Sequence, residues 1–138
     1  MKPSLLIISA GILQVPAILK AKKLGYHTIV TDQNPKSPGF SHCDEKVFLS
    51  TKDIEGHELL AKKLKKSKNL VGVYTQGTDV EYTVAKAAKA AGLPGIDPEV
   101  ARKCNDKIMM RKLFKSKNVE KMKFQGASNY NQALSAVK

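Results

Sequence analysis

A chain of 138 residues, 42% of them hydrophobic, is long enough to bury one core, and its apolar runs stop well short of the roughly 18 to 20 residues a membrane span needs. An aromatic content of 6% with no Trp argues against an aromatic-rich sandwich and for Leu, Ile, Val and Ala packed between helices and a parallel sheet. A formal net charge of +12 raises an anionic partner, but no aromatic residues interleave with the densest lysines to form a stacking platform, so nucleic acid is not expected.

The elements follow in order. Leu5 to Ser9 is a continuous apolar run closed by Ala10-Gly11, too short for a signal-peptide core and readable as a buried strand, which makes a cytoplasmic protein the expectation. Val15, Ile18 and Leu19 then recur at helical spacing until Leu24-Gly25, with Pro16 in the first turn, where a missing amide costs little. His27 to Thr31 reads as a strand ending at Asp32, and Gln33 to Asp44 as a loop rich in Pro, Gly, Ser and Asn. Val47 to Leu49 makes a short strand, and Asp53 caps a helix with Leu59, Leu60 and Leu64 facing inward. That helix ends in Lys62, Lys63, Lys65, Lys66 and Lys68, cations that complement the dipole and keep a solvent face wet.

Leu70 to Tyr74 is a further β-branched run, and Thr78 with Glu81 has capping-box spacing for a helix that buries Val84, Ala87, Ala88 and Ala91 before Gly92 stops it. Gly95-Ile96 reads as a very short fifth strand, and Asp97-Pro98 as the start of a one-turn helix. Asn105 or Asp106 caps the next helix, through Lys117, which carries Met110, Leu113 and Phe114 as a stripe. Lys123 to Gln125 is expected to be extended, and Asn131 to Lys138 to be a helix that breaks off uncapped, the ground for expecting a fragment of a longer enzyme. Strands alternating with helices at these spacings argue for an open, doubly wound parallel sheet in three layers, an α/β Rossmann-like fold. Cys43 and Cys104 lack a metal spacing and are expected as buried thiols rather than a disulfide, while His27, His42 and His57 share no helical face on which a metal site could form.

In an open parallel sheet, ligands gather at the carboxyl ends of the strands. That rule selects Ala10 to Gln14, Asp32 to Asn34 and Thr75 to Asp79. Gly11 followed by Asp32 suggests a dinucleotide turn, but the fingerprint needs three glycines and this turn offers Gly11 alone. Gly11 therefore serves either a tight turn or a small polar substrate resting on exposed amides, with Gln14 beside it. Asp32 serves either a polar ligand or its own loop. Gln76, Gly77, Thr78 and Asp79 are dense polar chemistry for one loop, although capping accounts for Thr78. No nucleophile or general base is identified, so no catalytic residue is assigned.

Gly11 to Gly25, Asp32 with Asn34-Pro35-Lys36-Ser37-Pro38-Gly39, Gly92-Leu93-Pro94-Gly95 and Asn105-Asp106-Lys107 with Met110-Arg111-Lys112-Leu113 and Asn118-Val119 together resemble the domain that precedes the ATP-grasp fold. Within that superfamily the chain is similar to carbamoyl-phosphate-synthase-like and carboxylate-amine ligase members. The resemblance implies a pre-ATP-grasp domain over residues 1–102, then a linker helix and the start of a truncated ATP-grasp domain over 103–138. It implies a ligase using ATP and Mg2+ to join small-molecule carboxylate and amine substrates. Lys107 would reach the nucleotide phosphates, and Gly11, Gln14, Asp32, Gln76, Gly77, Thr78 and Asp79 would line the substrate side. The second phosphate-binding lysine, the lid and the metal ligands belong to segments that follow, so this chain alone is expected to be inactive, with no cofactor tightly bound. The remainder of the ATP-grasp chain is then its main partner. Relatives often dimerise, but no apolar stripe here names an interface. The rival expectation is a stand-alone nucleotide or small-ligand binding domain without catalysis.

Overall fold

The computed structural model describes residues 2–119 and 122–137. Four strands, β1 (Ser4–Ile8), β2 (His27–Asp32), β3 (Glu45–Phe48) and β4 (Leu70–Tyr74), form one sheet in the order β3-β2-β1-β4. Every pairing is parallel. The sheet exists because Leu6, Ile7, Ile8, Ile29 and Val30 are apolar on both faces of adjacent central strands and are withdrawn from water entirely.

Helices cover both faces. α1 (Val15–Lys23) packs Ile18 and Ala21 against Ile7 and Val30 on one side, and Phe40 closes that cluster. On the other side α2 (Ile54–Ser67) and α3 (Glu81–Ala90) bring Ala61, Leu64, Ala87 and Ala91 onto Leu6, Ile8, Ile29 and Leu70. The small alanines let α3 sit close, which is the reason its buried face reads as Ala rather than Leu. The result is the three-layered, doubly wound α/β fold expected.

Helix ends obey local rules. Gly25 and Gly92 take positive φ values of 90° and 62°, so the Tyr26 and Leu93 amides can reach back to the Ala21 and Ala88 carbonyls at 3.1 and 2.9 Å. Asn118, at φ 54°, does the same for α5 (Lys107–Ser116), where Val119 N donates to Phe114 O at 3.0 Å. Asp53 caps α2 by accepting from Gly56 N at 2.9 Å.

Several local expectations are overturned. Leu59 is 67% exposed, whereas Leu64 is buried and Leu60 packs against the core as expected, joined on the inward face of α2 by His57 and Ala61. Thr78 does not cap α3, whose N-cap is Val80 with no side-chain bond; Gly77 at φ 62° redirects the chain first. Glu81 reaches α4 (Pro98–Asn105) instead, its Oε2 accepting from Asn105 Nδ2 at 2.6 Å. Gly95-Ile96 forms no strand and α4 runs beyond one turn, with Asp97 capping it through Glu99 N at 2.8 Å. Asp106, not Asn105, caps α5, accepting from Met109 N at 2.9 Å. Residues 122–127 carry no strand, and α5 buries none of its residues in this chain. Cys43 is half-buried and Cys104 exposed, both free thiols. α6 (Tyr130–Ala136) is capped at its start by Asn129, and the uncapped end expected at Lys138 lies outside the described residues. Among the described residues no helix is long and apolar enough to cross a membrane.

Candidate substrate crevice at the strand ends

The chain leaves β1 for β2 and β3 on one side, then returns to lay β4 on the other side of β1. The connections after β1 and β4 therefore diverge at the carboxyl edge, the switch point where open α/β sheets form a ligand crevice. Asp32 ends β2, and the other six substrate-side residues expected from the sequence lie in the connections after β1 and β4.

Asp32, at the end of β2, spans two loops. Its Oδ2 accepts from Ala10 N at 2.9 Å and its Oδ1 from Asn34 N at 2.9 Å. Its oxygens grip backbone amides, fixing the first turn and its own loop. Gly39 backs the same turn from the other side, its amide donating to Ala10 O at 2.7 Å. An added Cβ at Gly39 would stand 2.7 Å from that oxygen, so a glycine is required there. Ser9 enters the turn at φ 79°, an uncommon conformation for a residue with a side chain.

Gln14 lies at the end of a short 3-10 turn over Ile12–Gln14 and is only 2% exposed. Its Nε2 donates to the Gln76 carbonyl across the crevice, and its Oε1 accepts from Ser9 Oγ at 3.4 Å. Gln76 answers with its own Nε2, donating to Leu13 O at 2.5 Å, while its Oε1 accepts from Tyr74 OH at 3.2 Å. Thr75 Oγ1 adds a bond to Ile8 O at 2.8 Å. Gly77 abuts Leu13, where a Cβ would lie 2.8 Å from Leu13 Cδ1. Thr78 takes part through its backbone, its carbonyl accepting from Val80 N at 3.0 Å. Asp79 is exposed at the mouth.

Gly11, Gln14, Gln76 and Gly77 are thus brought together, with Asp32 bracing the turn from below. Lys107 is the exposed first residue of α5. It lies two residues beyond Asn105, whose bond to Glu81 ties the α4–α5 junction to the helix that follows the β4 loop. Sequence reasoning selected the stretch Ala10 to Gln14 but gave no role to the Ala10 amide or the Leu13 carbonyl, because both act through backbone atoms that any residue supplies. It also missed the use of Thr75 to pin the loop to β1.

His57, on α2, is a fully buried polar group on the opposite face of the sheet. Its Nδ1–H donates to Asp53 O at 2.7 Å, leaving Nε2 to accept from Thr31 Oγ1 at 2.9 Å. Burial lowers its pKa from 6.5 against the opposing pull of Asp53. At the other end of β2, burial works to raise the Asp44 carboxyl, but hydrogen bonds from Lys22 and Thr28 win and hold it below the usual carboxylate range. Among the described residues no group of three or more His, Cys, Asp and Glu side chains is disposed to hold a metal ion.

The fold and the crevice define an open, doubly wound α/β domain whose ligand edge lies at the β1–β4 switch point. The same architecture occurs in phosphoribosylglycinamide synthetase from Anaerococcus prevotii, 30% identical, with a TM-score of 0.75 over 98% of this chain and 34% of that one. N5-carboxyaminoimidazole ribonucleotide synthetase from Thermotoga maritima is 26% identical, with a TM-score of 0.63 over 84% of this chain and 31% of that one. An ADP complex of N5-carboxyaminoimidazole ribonucleotide synthetase shares the fold at 21% identity, with a TM-score of 0.72 over 99% of this chain and 34% of that one. No family model matches the sequence, and a search of curated proteins returned no match. The order of elements, the crevice and these likenesses are those of the N-terminal, pre-ATP-grasp domain of ATP-grasp enzymes. The chain spans about a third of the length of these solved relatives.

Proposed function

We propose that this chain is the substrate-side domain of an ATP-dependent carboxylate-amine ligase, of the carbamoyl-phosphate-synthase-like kind, acting in the cytoplasm. The observation that carries the reading is the pair of loops after β1 and β4, drawn to one crevice at the switch point by Gln14 and Gln76. In the complete enzyme ATP supplies the phosphoryl group that activates a carboxylate, and Mg2+ offsets the charge on its phosphates.

This chain's residues hold and orient. The exposed turn at Gly11 and the open flank at Gly77 and Asp79 receive the polar end of a substrate, on a frame that Asp32 and Gln76 keep rigid. Lys107 extends a flexible cation toward the nucleotide phosphates, chemistry suited to an exposed lysine at the start of a helix. The proposed division falls at 102/103, within α4, and the ligands for the metal belong to the portion that follows in a full-length enzyme. On this reading the 138 residues alone turn nothing over, and the ATP-grasp portion is the required partner, with a homodimer a further proposal.

In the complete enzyme, Lys107→Ala should raise the KM for ATP about tenfold or more, the loss of a charge-assisted phosphate contact, with thermal stability unchanged. An unaltered KM for ATP removes the nucleotide role of Lys107. Release of ADP by this chain alone with ATP, Mg2+ and substrates would overturn the reading of it as an inactive part.

A further inference from the structure

A second concavity lies beside the crevice, on the α1 face of the sheet. The register pairs Leu5 with Gly72 and Ile7 with Tyr74, so Gly72 and Tyr74 share the face that α1 covers. α1 is spent on Ile7 and Val30 and leaves the outer strand β4 bare on that side. Gly72 contributes no side chain, and a Cβ there would meet only Leu5 Cδ1, at 3.0 Å. The space left over is a cavity of about 290 Å³ lined by Leu5, Ala17, Lys20, Leu24, Tyr26 and Tyr74 among others.

We propose that this cavity binds a small apolar carboxylate, its ring or chain seated against Leu5, Ala17 and Leu24, its carboxylate met by Lys20. Size, wall chemistry and charge each select that class. The volume stands at the lower end of small-molecule pockets, too small for a strand or helix of a partner. The walls are mostly apolar, and Lys20 is the one charged residue in the lining. α1 contains no acid; of its lysines Lys22 is paired with Asp44, and Lys20 borders the cavity and offers its charge to an anion. A second copy of the chain, itself at +12, is repelled by the same field. The polar end of the cavity is Gln76, whose Oε1 already accepts from Tyr74 OH, so occupancy is sensed at the loop bordering the strand-end crevice. This site goes beyond the ligase reading and does not depend on it.

The test is a titration of 4-phenylbutyrate into the 138-residue chain, read by two-dimensional NMR. Saturable shifts are expected at Leu5, Ala17, Leu24 and Tyr26. Neutral 4-phenylbutanol, and the acid against Lys20→Gln, should each bind about three- to fivefold more weakly, the range of an exposed charge pair. Gly72→Val, whose Cβ would stand 3.0 Å from Leu5 Cδ1, presses the lining residue Leu5 into the cavity and should abolish binding. Ala17→Phe, which blocks the mouth from the helix side, serves if the strand variant does not fold. Absent shifts, shifts elsewhere, equal affinity for acid and alcohol, or binding retained by a folded cavity-filling variant would overturn the proposal.

Discussion

Gln14 and Gln76 exchange hydrogen bonds across the switch point of the sheet, each donating its side-chain amide to the backbone of the other's loop: Gln14 Nε2 to the Gln76 carbonyl, and Gln76 Nε2 to the Leu13 carbonyl at 2.5 Å. The loops after β1 and β4 are separated by 62 residues in the chain, and this exchange makes them one rim. Gln14→Leu should cost about 1–3 kcal/mol in urea denaturation, because the Gln76 carbonyl would lose its donor in a buried setting. Gln76→Ala, in a less buried position, should cost about 0.5–1.5 kcal/mol. The double variant should fall short of the sum, since the two residues share one contact; strict additivity would show that the bonds are independent.

Asp32 is the second brace. Asp32→Asn keeps the size but turns an amide nitrogen toward Ala10 N or Asn34 N, where both oxygens now accept. The expected loss is about 1.5–3 kcal/mol, the range for hydrogen bonds to a charged group. Hydrogen exchange should localise the change to the Ala10 and Asn34 amides. If those amides keep their protection in a folded Asp32→Asn variant, the carboxylate is not what holds the turn.

Gly39 tests the packing of the loop after β2 against the first turn. Gly39→Ala would set a methyl group 2.7 Å from Ala10 O and 2.9 Å from Ile18 Cδ1, and the first of these is backbone that cannot step aside. A loss of about 1–3 kcal/mol is expected. Gly72→Ala is the control, since its only close neighbour is the mobile end of Leu5, and it should be clearly milder.

The pH dependence of stability should carry the mark of His57. Its pKa in the folded chain lies below its ordinary 6.5, so the unfolded chain binds the extra proton first. The contribution is complete above pH 6.5 and is lost as pH falls from there through the folded-state value. Asp44, held low by Lys22 and Thr28, behaves likewise but only below its ordinary 3.8. Urea midpoints should therefore decline between pH 6.5 and 5 in the parent, and His57→Gln should flatten that slope. An equal slope in both would assign the decline to other groups.

Much of this fold was legible because local chemistry states it outright. Leu5 to Ile8 and Ile29 with Val30 are apolar on both faces and therefore had to be central parallel strands. Gly25 and Gly92 had to stop helices, Asp53 had to cap one, and the strand ends had to hold the crevice. Periodicity failed where exposure was decided by neighbours. Leu59 belongs to the right repeat but points to water, because the face of α2 turned inward carries His57, Ala61 and Leu64. The Thr78–Glu81 spacing was real, yet Asn105 reached Glu81 from α4, a competitor invisible in four residues of sequence.

By itself the sequence determined the four strands of the sheet and the helices α1, α2 and α3 between and after them, though not the length of α4 or the absence of a strand at Gly95-Ile96, and it pointed to the strand ends after β1, β2 and β4. Only the tertiary structure decided what the polar residues at that edge do, joining Gln14 to Gln76 and Asp32 to Ala10. The physical reason is range: hydrophobic period and capping act over a few residues, whereas a hydrogen bond across a switch point requires two loops that become neighbours only when β4 is laid beside β1.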